Sequence, residues 1–156
     1  MSVGAVPSGG ASPGFRLRTG CVTVLLGPDA VRRDVLGQLD AGRGPRERPT
    51  GVLTVTSGQA PTAPERISAL VQAAEQRPSL VVVDRVTDGL TAADRRAVLA
   101  ELRTLAAAGP AVLVDDTDPV AALAVADGAL RAGADGTLRT EELRTPADPS
   151  GYQRAE

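Results

Sequence analysis

Short runs of apolar residues alternate with longer amphipathic stretches along most of the chain. VTVLLG at 22–27 lies between Gly20 and a Gly-Pro turn, and similar runs, SLVVVD and AVLVDD, occur at 79–84 and 111–116. Because these runs are short and almost wholly apolar, they predict strands that are buried on both faces of a sheet. A further strand with a turn is predicted at 51–59, and a last strand and turn at 136–143.

The stretches between the predicted strands have the apolar spacing of α-helices. Helices are predicted at 30–42, 63–78, 91–109 and 118–130, and Thr91 is placed to cap the third of them. On the first three helices the residues expected to face inward are Val31, Val35, Leu36 and Leu39, then Ile67, Leu70, Val71 and Ala74, then Val98, Leu102 and Leu105.

Buried strands separated by amphipathic helices are typical of a parallel sheet that is covered on both faces. The predicted fold is therefore an open α/β fold of three layers, with a mostly parallel sheet between two layers of helices. Ligands of such sheets bind at the carboxyl ends of the strands. The polar residues expected at that edge are Asp29, Asp84, Arg85, Asp115 and Asp116.

The composition fits a single compact domain. The chain has 156 residues, of which 42% are hydrophobic, which is enough for one core. MSVGAVPSGGASP at 1–13 predicts a flexible leader and TPADPSGYQRAE at 145–156 a loose tail. The predicted division is a leader at 1–14, a core domain at 15–140 and a tail at 141–156.

Several kinds of chemistry are excluded by the residues that the sequence lacks. All 17 basic residues are arginine, so catalysis by histidine or by a Schiff-base lysine is excluded. Cys21 is the single cysteine, which excludes an internal disulfide and a cysteine-rich zinc site; it is expected to begin a buried strand as a small core residue.

The charge and hydropathy of the chain bear on its location and partners. The net charge is -2 with no basic tract, so nothing favours nucleic acid as a partner. No segment approaches the ~20 apolar residues of a membrane helix, and the N-terminus lacks the basic start and apolar run of a signal peptide. Direct insertion into a membrane is therefore not expected, and a cytoplasmic location is.

Four segments together resemble the ATP-binding subunit of an ABC transporter. FRLRTGCVTVLLGPD at 15–29 resembles the approach to the Walker A loop, and RPTGVLTVTSGQ at 48–59 the segment after the Walker A helix. Residues 77–119 resemble Walker B, the D-loop, the next helix and the switch strand, and VADGALRAGADGTL at 125–138 resembles the closing strands. The resemblance implies a fold of the P-loop NTPase class.

The loop that corresponds to Walker A departs from the family pattern. Ala30 and Arg32 occupy positions of the glycines that wrap phosphate, Arg33 occupies the lysine position, and Asp34 occupies the position of the hydroxyl that holds Mg²⁺. The residues at positions that bind nucleotide in the family are Gly27, Pro28, Asp29, Arg32, Arg33, Asp34, Val35 and Asp84.

The other motifs are also altered. Asp84 keeps the Walker B aspartate, but Arg85 stands at the position of the catalytic glutamate and cannot act as a base. Thr91 falls at the D-loop aspartate and Thr117 at the switch histidine. The signature motif and its helical subdomain are missing from the sequence, as is the loop that contacts the membrane partner.

Two interpretations of the charged edge follow. In the first, the charges form an Arg–Asp ion-pair cluster that closes an empty cleft, with Arg85 beside Asp34 and Arg33 beside Asp84. In the second, Asp84 and Asp116 hold a divalent cation such as Mg²⁺, because carboxylates suit hard cations. Since successive strand residues face opposite ways, only one of Asp115 and Asp116 is expected to point toward Asp84.

The sequence therefore favours a reduced ABC-type ATPase domain that is catalytically inactive and acts as a binding or regulatory module. The alternative is a divergent ATP-binding subunit with ATP and Mg²⁺ as cofactors and Arg33 in place of the lysine. The partners that the resemblance implies are a membrane permease, another ATPase subunit or a second copy. A permease would hold the chain at the inner face of the cell membrane.

Overall fold

The computed structural model describes residues 2–5, 15–41, 52–56 and 61–143. Its elements follow the alternation that the sequence predicts. In chain order they are β1 Ser2–Ala5, β2 Phe15–Arg18, β3 Val22–Leu26, α1 Asp29–Ala41, β4 Val52–Thr56, α2 Ala63–Glu75, β5 Leu80–Asp84, α3 Ala92–Ala107, β6 Ala111–Asp115, α4 Pro119–Leu123, β7 Gly128–Ala132 and β8 Leu138–Glu142.

Six of the strands form one mixed sheet in the order β4-β5-β6-β3-β7-β8. Neighbouring strands from β4 to β7 are parallel, and β8 runs antiparallel to β7. The strand β6 lies between β3 and β5, as the P-loop order requires. The remaining strands, β1 and β2, form a separate antiparallel pair. Because β1 falls within the segment whose composition predicts a flexible leader, that prediction is wrong for Ser2–Ala5.

Each face of the sheet has its own hydrophobic core, which confirms the three-layer α/β fold. On one face α2, α3 and α4 pack on Val24, Val83 and Val114. On the other face α1 and β2 pack on Leu25 and Leu113. Successive residues of the central strands point into opposite cores, and for this reason these strands are almost wholly apolar. The described residues contain four helices, α1–α4, and no separate helical subdomain.

The helix predicted at 118–130 is wrong beyond its first turns. Asp118 caps the five-residue helix α4 through a hydrogen bond from the Ala121 amide, and the chain then enters β7. The Asp127 amide donates to the Val22 carbonyl and the Val22 amide donates to Asp127 Oδ2. These two bonds attach the segment to β3, so its apolar residues complete the sheet.

The inward face of α2 is also rotated from the predicted one. Its buried residues are Ala63, Arg66, Leu70 and Ala73, whereas Val71 is 43% exposed. The predicted cap of α3 is confirmed, because Thr91 Oγ1 accepts from the Asp94 amide at 3.2 Å. Cys21 immediately precedes β3 and is only half-buried, so it is not the core residue that was expected.

Candidate functional site

The turn between β3 and α1 places charged side chains at the carboxyl edge of the sheet. Gly27 has a φ of +138°, and a Cβ there would collide with the Ala132 carbonyl oxygen on β7. The close approach of β7 therefore requires a glycine at this position. Helix α1 begins directly after the turn, at Asp29, and its first turn faces the ends of β5 and β6.

Two consecutive arginines of α1 bind the carboxylates at those strand ends. Arg32 forms an ion pair with Asp115 Oδ1, donates to Asp29 Oδ1 at 3.2 Å and donates to the Gly27 carbonyl at 3.1 Å. Arg33 donates to Asp84 Oδ1 at 3.2 Å and Oδ2 at 3.3 Å, and to Asp115 Oδ2 at 3.0 Å. Both oxygens of Asp115 are thus bound by guanidinium groups of α1.

A third arginine reaches the same group from the loop after β5. Arg85 has a left-handed backbone with φ +53°, its amide donates to the Asp115 carbonyl at 2.8 Å, and its Nη2 lies 3.2 Å from Asp29 Oδ1. We refer to the six residues Arg32, Arg33, Arg85, Asp29, Asp84 and Asp115 as the Arg–Asp cluster. Its three positive and three negative formal charges cancel.

Burial and charge act in opposite directions on the pKa values of the cluster. Burial raises the pKa of the Asp115 carboxyl above its ordinary value, although the charge and hydrogen bond of Arg32 and the charge of Arg33 oppose the rise. Burial alone would lower the pKa of Arg33, but the hydrogen bond and charge of Asp84 and the charges of Asp115 and Asp29 outweigh it, so the pKa is raised. The Arg33 guanidinium is therefore held firmly in its charged form.

Only part of the sequence-predicted nucleotide-binding set comes together in this cluster. Asp29, Arg32, Arg33 and Asp84 do, and the Gly27 carbonyl joins them. Pro28 and Asp34 are exposed, and Val35 is buried in the core beneath α1. The predicted pairing of Arg33 with Asp84 is confirmed. The predicted pairing of Arg85 with Asp34 is wrong, because Asp34 lies on the outer side of α1 and Arg85 instead reaches Asp29.

The structure separates the two candidate cation ligands. Asp115 is the register partner of Asp84, whereas Asp116 faces away from it. Asp116 is 2% exposed, its Oδ2 accepts from Thr87 Oγ1 at 2.6 Å, and its Oδ1 accepts from the Asp118 amide at 2.8 Å. The pair Asp84 and Asp116 is therefore not brought together. Within the described residues no group of three or more acidic, histidine or cysteine side chains is arranged to hold a metal.

A buried arginine on α2 holds the loop that follows β5, although the sequence does not mark it as a site residue. Arg66 on α2 is 6% exposed and donates to the carbonyls of Val86 and Asp88, at 2.9 and 2.5 Å. Thr117, at the switch position, donates to Asp88 Oδ1 at 2.7 Å. Together these bonds fasten the loop at 85–90 to the rest of the domain. No sequence signal marks Arg66, since its neighbours also fit an exposed helix face.

Comparison with known proteins gives the fold. No protein-family model matches the sequence, and no curated protein matches it significantly. Among solved structures, a nucleotide-free ATP-binding cassette from an ABC transporter superposes with a TM-score of 0.64 at 11% identity, covering 92% of this chain and 90% of that one. The ADP conformation of another ABC transporter cassette gives 0.62 at 12% identity, with 84% of each chain covered.

A third structure, an ATP-binding subunit of an ABC transporter, gives a TM-score of 0.60 at 13% identity and covers 83% of this chain and 82% of that one. Across the part of the chain that the structure describes, no helix is long and apolar enough to cross a membrane. The expected resemblance is thus confirmed at the level of architecture: the chain has the fold of the ATP-binding cassettes of ABC transporters.

Proposed function

We propose that this chain is a reduced, catalytically inactive ABC-type domain that acts as a binding or regulatory module. The observation that carries the proposal is the Arg–Asp cluster, which occupies the edge where a nucleotide's phosphates would lie. Each of the three carboxylates in it already accepts from at least one guanidinium group. A phosphate group would have to break these pairs before it could bind.

The backbone of the turn supports the same proposal. Helix α1 begins at Asp29, four residues before Arg33, and the Arg32 amide already donates to the Pro28 carbonyl at 3.0 Å. A phosphate-binding loop needs free amides in that stretch, which its glycines supply. Because Ala30 and Arg32 are part of the helix, the Arg32 amide is already hydrogen-bonded within it and is not free to donate to a phosphate.

The module would act by docking. Its fold is that of ABC transporter cassettes, so the partners that we propose are a membrane permease, an intact ATPase subunit or a second copy of this chain. Docking on a permease would place the domain at the cytoplasmic face of the membrane. At Arg85 the chain offers no base to activate water, so the domain would not contribute hydrolysis to such an assembly.

Titration calorimetry and thermal shift with Mg-ATP, Mg-ADP and Mg²⁺ alone test the proposal. We expect no binding heat and no rise in Tm at millimolar ligand, since a ligand far below its Kd stabilises negligibly. Micromolar binding of Mg-ATP that disappears in Arg33→Ala would overturn the proposal and favour the divergent ATP-binding subunit. A rise in Tm with Mg²⁺ alone would contradict it in favour of a cation site.

A further inference from the structure

The charged side chains of helix α3 that face solvent are sorted by sign. Arg96 and Arg103 lie on one flank of the exposed side of the helix, and Asp94 and Glu101 lie on the other. None of these four side chains forms an ion pair within the described residues. Each flank therefore carries unpaired charges of one sign, and the two flanks complement each other.

The stripe between these flanks consists of short side chains. Its members are exposed and follow one another at intervals of four, three, four and three residues: Ala93, Ala97, Ala100, Thr104 and Ala107. We call these five residues the α3 face. Their spacing is that of the a and d positions of a heptad, which places the two arginines at g and the two acids at e. Because the side chains are short, a second helix can pack about 8 Å away.

An apolar groove borders the arginine flank of the α3 face. Helix α3 lies between α2 and α4 and contacts both. The groove between α3 and α4 has a volume of about 400 Å³, and Arg96, Leu99, Val120 and Val125 are among the residues that line it. Val120 is 76% exposed, so a large apolar side chain stands open to solvent at this edge.

The acidic flank of α3 faces α2, which presents a second exposed valine. On α2, Ala69 and Gln76 line a cleft beside the edge strand β4, and Val71 lies on the opposite side of the helix, toward α3. Val71 and Val120 are the exposed large hydrophobic side chains of the described ranges. Each side of the α3 face is thus bordered by one valine and by charges of one sign.

We propose that a second copy of this chain packs on the α3 face, with the two α3 helices parallel about a two-fold axis. Such an axis brings each flank of one helix against the opposite flank of the other. Arg96 then meets the partner's Glu101, and Glu101 meets the partner's Arg96, as g and e positions do in parallel helix pairs. The side that carries Val120 likewise meets the side that carries Val71. An antiparallel pair would instead bring arginine against arginine and acid against acid.

The helical layer is large enough for such a dimer. The 16 residues of α3 span about 24 Å, and three helices side by side are about 30 Å wide, so two copies would bury up to roughly 1,400 Å². Stable interfaces bury about 1,200–2,000 Å². The dimer would be one form of the docking proposed above and rests on that function. Its measurement needs no nucleotide, so a monomeric chain would leave the inactive phosphate edge untouched.

Sedimentation velocity of the full chain from about 1 to 300 µM tests the proposal. We expect a reversible dimer that Arg96→Glu weakens about tenfold, because each dimer contains the pair with Glu101 twice. Adding Glu101→Arg should restore association. Arg103→Glu makes the same charge change opposite uncharged Ala108, so it is the matched control and should change the Kd by less than about twofold. A monomer at every concentration, or tighter association of Arg96→Glu, would overturn the proposal.

Disulfide cross-linking tests the parallel orientation directly. In a Cys21→Ser background, Ala93→Cys, Ala100→Cys and Ala107→Cys each place a thiol at a d position, which meets its own counterpart in a parallel pair. We expect all three to form covalent dimers under mild oxidation, whereas Gln72→Cys on α2 should remain monomeric. Cross-linking at only one of the three positions would indicate an antiparallel pair and contradict the proposal, as would equally rapid cross-linking of Gln72→Cys.

Discussion

Arg33 on α1 binds Asp84 at the end of β5 through both carboxylate oxygens, at 3.2 and 3.3 Å. In the family that the sequence resembles, these two positions hold the phosphate-binding lysine and the Walker B aspartate. Here they bind each other, and the same guanidinium reaches Asp115 on β6 at 3.0 Å. Arg33 and Asp84, at the positions that contact phosphate and metal in that family, here connect α1 to the strands β5 and β6.

Loss of this guanidinium should destabilise the domain. Arg33→Ala removes three charge-assisted hydrogen bonds and leaves the buried Asp115 with one cation, Arg32. We expect the free energy of unfolding, measured by urea denaturation, to fall by about 2 kcal/mol, after discounting for the exposure of Arg33. The matched control is Arg131→Ala, which breaks the exposed pair with Glu141 and should cost under about 0.5 kcal/mol. Equal losses in the two variants would show that the cluster is no stronger than a surface pair.

Restoring the catalytic carboxylate should not restore catalysis. Arg85→Glu places a negative charge next to Asp29 and Asp84 and removes the 3.2 Å contact to Asp29. The added repulsion opposes the approach of phosphate and weakens the fold. We expect no ATP turnover above that of the unaltered chain in a phosphate-release assay, together with a lower Tm. Measurable turnover would mean that the phosphate site is intact, contrary to the proposed function.

The sequence predicts the sheet well because its signal is local. A strand buried on two faces forms a continuous apolar run, as at residues 80–83 of β5. A strand order common to the P-loop class then places β6 between β3 and β5. The prediction fails where a tertiary contact decides. The segment that contains Gly128 has the spacing of a helix, but its hydrogen bonds to Val22 turn it into β7.

At the site, the sequence predicts which charges meet but not all of the pairs. The pair Arg33 and Asp84 follows from the positions that the two residues take in the family that the sequence resembles. The direction of the Arg85 side chain depends on the left-handed backbone of this residue, and a non-glycine residue gives no sequence signal for that conformation. Arg85 therefore pairs with Asp29 and not with the expected Asp34. Buried Arg66 could not be recognised, because its acceptors are backbone carbonyls, which leave no trace in the sequence.

Glycine and alanine substitutions should have opposite orders of stability at Arg85 and at Arg96, because the backbone is left-handed at the first position and helical at the second. At φ +53° a residue with a Cβ is strained, so Arg85→Gly should be more stable than Arg85→Ala by about 1 kcal/mol, although both lose the same side chain. At exposed Arg96 inside α3 the order should reverse, with glycine less stable than alanine by about 1 kcal/mol. Urea denaturation of the four variants measures both differences. Alanine proving equal to glycine at 85 would show that this backbone is unstrained.

The buried guanidinium of Arg66 should matter more than its surface neighbours. Arg66→Met keeps most of the apolar stem but leaves the carbonyls of Val86 and Asp88 without that donor. We expect a loss of about 2–4 kcal/mol in the free energy of unfolding, from buried carbonyls at about 1–3 kcal/mol each. Gln72→Met on the exposed face of the same helix should change it by less than about 0.5 kcal/mol. Faster amide exchange in residues 85–90 of Arg66→Met would show that this loop is the part released.

Acid titration tests the raised pKa of Asp115. A carboxyl whose pKa is raised by folding binds its proton more tightly in the folded state. Its favourable contribution is therefore complete below the unfolded value of 3.8 and is lost as the pH rises through the folded value. Asp115→Asn removes that dependence. The free energy of unfolding of the unaltered chain minus that of Asp115→Asn should thus decrease as the pH rises from about 3 to 7, measured by urea denaturation at each pH.

Asp135 provides a control with the opposite sign. The Thr137 hydroxyl and amide donate to Asp135 Oδ1 at 2.7 and 3.1 Å, and these hydrogen bonds lower the pKa of Asp135. Its contribution is therefore present above the unfolded pKa and lost as the pH falls through the folded one. The corresponding difference for Asp135→Asn should increase as the pH rises. If the two differences changed in the same direction, burial would not be the dominant influence on Asp115, and the two guanidinium groups of α1 would control its ionisation.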